Sequence, residues 1–152
     1  MDIGIVLWVW GAPITDEHVE TYVPKAAEMG FDTVEFPMEE PESFDYDRAE
    51  ELLDEHDLRS SVLVAMEADR DLLHDDPAIR EQGREYIRAS IDAAAGIGAD
   101  RICGPLYSAV GRTWYMDEAE RTAALDTLEA QFQEVSEYAA DRGVTLCLEP
   151  LN

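Results

Sequence analysis

Lysine is almost missing from this chain: Lys25 is the only one in 152 residues, and the other ten basic residues are arginines. Thirty-five aspartates and glutamates oppose eleven basic groups, for a formal net charge of −24. Such a surface repels duplexes, RNA and anionic membranes, so nucleic-acid and membrane partners are excluded. The excess reads as halophilic adaptation, because molar salt screens charge over about 3 Å and removes the self-repulsion that opens a compact state. Cysteine is scarce too, and Cys103 and Cys147 match no zinc-ligand spacing. Both fall in apolar runs, where free cysteine packs as a small hydrophobe. No run of 18 apolar residues exists, and the apolar start has neither a basic flank nor a small-residue cleavage site. Neither a membrane span nor a signal peptide is indicated, and the expected location is cytoplasmic. P-loop, nucleophile-elbow and dinucleotide fingerprints are absent, and His18, His56 and His74 have no partner at metal-ligand spacing.

What remains is regular. With 46% hydrophobic residues the chain can build one domain, residues 1–152, around a true core. Short apolar, β-branched runs alternate with helical patterns, the signature of βαβ units around a parallel sheet. Strands are predicted at 3–10, 33–37, 61–66, 101–104 and 144–149.

A helix over 16–29 carries Val19, Tyr22, Val23, Ala26 and Ala27 on one face, with Pro24 expected to kink it or mark its true start. The next, over 46–56, buries Ala49, Leu52 and Leu53. The third opens on Asp76 and Pro77 as N-cap and N1 and stops at Gly98. The fourth opens on an Asp117/Glu120 capping box, continues through Leu125, Leu128, Phe132, Val135 and Ala139, and ends at Gly143. Glycines 30, 98 and 143 mark tight helix-to-strand turns. The longer connections, 67–75 and 105–116, lie at the C-terminal ends of strands, where α/β proteins keep their active sites.

Alternation in the fifth strand puts Thr145, Cys147 and Glu149 on one side and Val144, Leu146 and Leu148 on the other. Glu149 is then either a metal ligand or general base at the C-terminal rim, or a carboxylate emerging into solvent. Glu35 shares a face with Thr33 and offers the same choice. Trp8 and Trp10 share a strand face and form either an apolar wall over a pocket or core filling. The stretch 104–112 holds Tyr107, Ser108 and Arg112, two hydroxyls and one cation suited to a substrate loop.

Several segments carry a family resemblance: Gly30-Phe31-Asp32-Thr33-Val34-Glu35, Asp76-Pro77-Ala78-Ile79-Arg80 with Gly83, Ala95-Gly96-Ile97-Gly98-Ala99-Asp100, Gly104-Pro105-Leu106-Tyr107-Ser108, and Leu148-Glu149-Pro150-Leu151-Asn152. In this order they resemble the N-terminal part of the xylose isomerase-like barrel superfamily, within it the D-tagatose/D-psicose 3-epimerases. The resemblance implies an α/β fold, about (βα)4β5 of a TIM (β/α)8 barrel. It implies that Glu149 binds a divalent metal, manganese with magnesium or cobalt as alternatives, and exchanges a proton at the inverted ketose carbon through an enediolate. Trp8, Trp10, Glu35, Tyr107, Ser108 and Arg112 are then candidate contacts to a sugar substrate. A full barrel needs about 250 residues, and the resemblance assigns the other metal ligands to strands six to eight, which this sequence lacks. The expectation is therefore weak metal binding, no turnover from this chain alone, and self-association or a complementing chain. The alternatives are a non-catalytic half-barrel that binds or assembles, and an inosose dehydratase or hydroxypyruvate isomerase-like enzyme.

Overall fold

Five strands and four helices alternate along the computed structural model, which describes residues 1–150. The strands are β1 (Gly4–Val6), β2 (Thr33–Pro37), β3 (Arg59–Leu63), β4 (Arg101–Gly104) and β5 (Thr145–Leu148). The helices are α1 (Asp16–Glu28), α2 (Tyr46–Glu55), α3 (Pro77–Gly96) and α4 (Glu118–Ala140). All strands are parallel in one sheet, ordered β1-β2-β3-β4-β5. Each crossover leads to the adjacent strand, the winding of a (β/α)8 barrel, of which four βα units and a fifth strand are present.

The core lies between sheet and helices because alternate strand residues are apolar. Phe36, Val62, Ile102 and Leu146 are successive partners across four strands, and the first three are fully buried. Val23 and Ala26 of α1, Leu52 of α2, and Ile87 and Ile91 of α3 are buried in the same core cluster. At about 1.5–3 kcal/mol per large aliphatic or aromatic side chain, this layer supplies most of the drive to fold.

Helix starts follow the sequence closely. Asp45 accepts from the Arg48 amide at 3.1 Å and Asp76 from the Ala78 amide at 2.9 Å. At α4 the Asp117 carboxylate accepts from the Glu120 amide while Glu120 accepts from the Asp117 amide, both at 2.9 Å. Glycines 30, 98 and 143 all have positive φ, which lets the following amides turn back onto the helix ends. Asp117→Ala is expected to cost about 1 kcal/mol, read as faster hydrogen exchange at the first amides of α4.

Four details differ from the sequence expectation. β1 ends at Val6, and Leu7–Val9 form a single 3₁₀ turn instead of more strand; the fully buried Leu7 anchors that turn. β3 starts two residues and ends three residues earlier than predicted, because pairing with β2 recruits Arg59 and Ser60 opposite Thr33 and Val34 and ends at Leu63 opposite Pro37. α1 runs unbroken through Pro24: burial of Val19, Val23 and Ala26 on either side holds the turn that lacks one backbone hydrogen bond. In α4 packing begins near Leu128, which with Phe132 is partly buried against the core. Val135 and Ala139 are buried, whereas Leu125 is 59% exposed, since the ties to α3 begin at Gln131 and Glu134, which receive Arg84 and Arg88.

Candidate active site

The sheet face opposite the helices carries the candidate chemistry. On it Glu35 pairs with Ser61, and Pro37, Leu63, Cys103 and Cys147 form a continuous row of partners. Ser61, 8% exposed, donates its hydroxyl to Glu35 Oε1 at 3.2 Å. Glu35 thus lies on the face the alternation assigned to it, half-buried and oriented by a neighbour from β3.

Glu149 follows β5 directly and is exposed. Its amide donates to the Gly104 carbonyl at 2.9 Å, extending the β4–β5 ladder by one bond beyond the strand. The same carbonyl accepts from the Leu106 amide at 2.9 Å, so one oxygen ties both the β4 loop and the Glu149 backbone. Leu151 and Asn152, which complete the Glu149 motif, lie outside the described residues.

The tryptophans separate. On the 3₁₀ turn the strand alternation does not hold, so they do not share a strand face. Trp10 packs on α1, 5.5 Å from the Tyr22 ring and 4.1 Å below the Lys25 ammonium, and Tyr22 donates to its carbonyl at 3.0 Å. Trp8 is 39% exposed. In the loop after β4, Tyr107 is half-buried and Ser108 is buried.

Arg112 is less available than a substrate-loop cation would be. Its guanidinium pairs with Asp71 at 2.5 Å, with side chains only 15% and 5% exposed, and it stacks 4.1 Å over Trp114. The pair fastens the loop after β4 to the loop after β3. Arg70 does the same one strand earlier: it donates to the Glu39 carbonyl at 3.3 Å and to Glu67 at 3.1 Å and lies 3.8 Å over Tyr86. Burial raises the Tyr86 phenol above its ordinary pKa, and its hydroxyl donates to the Met38 carbonyl at 2.5 Å.

A depression of about 390 Å³ opens between these loops, lined by Ala12, Pro13, Glu39, Glu40, Glu67 and Arg70. A larger cavity, about 710 Å³, lies at the opposite, N-terminal end of the sheet, among Gly4, Thr33, Arg59 and Arg101. In this architecture that end serves stability, so size does not mark the site. Sequence reasoning missed Ser61 and Asp71. Nothing local distinguishes Asp71 among the acids of its loop, and Ser61 acquires a role only through strand register.

Among the described residues, no three His, Cys, Asp or Glu side chains stand close enough to hold a metal ion. Among the described residues Glu149 has no companion ligand, so these donors do not by themselves make a divalent centre. Neither is any helix of the described residues long and apolar enough to cross a membrane.

The family described as "Xylose isomerase-like TIM barrel" matches residues 23–152. A ketose 3-epimerase of Arthrobacter globiformis is 36% identical over 152 residues, all of this chain and 52% of its own length. An L-ribulose 3-epimerase of Methylomonas sp. is 30% identical over 144 residues, 95% of this chain and 49% of its own length. Among solved structures, a D-allulose 3-epimerase from Methylomonas sp., in complex with D-allulose, superposes with a TM-score of 0.89 at 28% identity, covering 100% of this chain and 52% of that one. The chain thus spans about half the length of the relatives it matches. With five parallel strands wound consecutively and a family match over most of its residues, this chain belongs to the xylose isomerase-like TIM barrels.

Proposed function

We propose that this chain contributes the N-terminal half of a ketose 3-epimerase site, with Glu149 as the acid/base group and metal ligand. The observation that carries this reading is the 36% identity to a ketose 3-epimerase along the whole chain. Glu149 at the C-terminal end of β5 is consistent with it. In this reading Glu149 takes a proton from the carbon beside the ketose carbonyl, and return of a proton to the opposite face inverts that centre. Glu35 held by Ser61, with Trp8, Tyr107 and Ser108, lines the sugar. Trp10 and Arg112, engaged by α1 and Asp71, position the loops that carry those contacts.

Manganese, magnesium or cobalt enters the proposal only with donors from a second segment or chain. Such a partner would extend the sheet beyond β1 and β5, its two outer strands, and self-association through the same strands is the second reading, a half-barrel that assembles without turnover. Halophilic character and a cytoplasmic location belong to the proposal as well, the first resting on the net charge of −24.

The test measures epimerisation and C3 proton exchange of fructose and tagatose with manganese, for the chain alone and mixed with a polypeptide carrying the second half of a relative. Turnover is expected only in the mixture, and Glu149→Gln is expected to lower it by about 10²–10⁴-fold. A mixture that assembles and binds manganese yet exchanges no C3 proton would rule the epimerase reading out. Conversion of inosose or hydroxypyruvate in its place would point to the related enzymes.

A further inference from the structure

Cys103 and Cys147 are register partners on the adjacent parallel strands β4 and β5. Their side chains therefore leave the sheet on one face, opposite Ile102 and Leu146, and strand spacing sets their backbones about 4.8 Å apart. Both thiols are free and half-buried. The arrangement joins residues far apart in sequence into one two-sulfur unit facing away from the helices.

The donor set decides what such a unit can hold. Structural zinc takes four ligands, and no third His, Cys, Asp or Glu joins these two among the described residues, Glu35 included. Hard cations select carboxylate and carbonyl oxygen, whereas thiolates select soft ions such as Cu(I). Two sulfurs with no further His, Cys, Asp or Glu donor among the described residues suit a soft cation of low coordination number. Burial, followed by the neighbouring Cys147 thiol, pushes the Cys103 thiol up to about 11.

We propose that Cys103 and Cys147 form a two-thiol site for a soft, low-coordinate cation, represented biologically by the cuprous ion. Binding breaks two S–H bonds, forms two S–Cu bonds and releases two protons to buffer, with copper remaining cuprous throughout. The bound ion would bridge β4 to β5 two residues before Glu149. The site stands independently of the proposed epimerase activity.

An anaerobic titration of the 152-residue chain with cuprous ion, kept reduced by ascorbate and competed by bicinchoninate, tests this directly. The chain is expected to withhold one cuprous ion per molecule from the chelator. Loss of an outer-sphere partner alone costs about 10–100-fold in metal affinity, so Cys103→Ser and Cys147→Ser should each weaken binding by at least that much. Single variants that hold copper as well as the parent, or a parent that holds none, would overturn the proposal. If circular dichroism shows the serine variants unfolded, the unsubstituted chain decides through iodoacetamide labelling read by mass. Cuprous ion is expected to slow alkylation of both cysteines together, and unchanged labelling rejects the site.

Discussion

Gly104→Ala is expected to be the most damaging single methyl addition in the sheet. A Cβ at Gly104 would lie 2.0 Å from the Val64 carbonyl oxygen, and the residue adopts φ +133°. The obstacle is backbone, so no side-chain rotation relieves it. An L-residue in such a conformation costs about 1–3 kcal/mol by itself, and the clash should carry the total above about 4 kcal/mol, a range reserved for a few mechanisms. Relief requires β3 and β4 to part where the Val64 amide donates to Cys103 and the Gly104 carbonyl receives Glu149. The variant should therefore lose stability in a urea titration and lose hydrogen-exchange protection at the Glu149 amide. An unchanged urea midpoint would show that Gly104 does not set this junction.

Arg112→Ala has the second largest expected effect. It leaves the Asp71 carboxylate, 5% exposed, without its cation. The Leu73 amide at 2.8 Å still satisfies one oxygen, but a single hydrogen bond does not replace a guanidinium. Removing one partner of a buried pair costs about 3–5 kcal/mol. Replacing both, as Asp71→Leu with Arg112→Met, should recover most of that, because the desolvation cost of both charges disappears as well. Arg112→Lys should fall between, keeping the charge but losing the planar stack on Trp114. Removing the exposed Arg59–Asp2 pair, 63% and 65% exposed, should change little. Urea midpoints of the four variants settle the order, and equal losses for Arg112→Ala and Arg59→Ala would sink the argument. Loosening of both the β3 and β4 loops should accompany the loss, since the pair joins them.

The helices were largely legible in the sequence. α3 and α4 start where Asp76 and Asp117 cap them, because a cap is local: one carboxylate, two or three residues from the amide it satisfies. The faces of β2 were legible for the same reason, since alternation follows from the pleat, whereas at the end of β5 Leu148, on the aliphatic side of that strand, is 52% exposed. Val34 and Phe36 are buried while Glu35 is turned to the opposite face.

Where strands stop and which side chains meet depends on packing between distant segments. β1 ends after three residues, and Trp10 turns onto α1. Glu35 finds Ser61 26 residues away, and Arg112 finds Asp71 41 residues away. Among 35 carboxylates, no short-range pattern marks the one a given arginine will bury. The order of elements, the helix starts and the two faces of β2 follow from the character of a few consecutive residues. Register, the partners of Glu35 and Arg112, and the pairing of the two cysteines arise from contacts between distant segments, which exist only once the strands lie side by side.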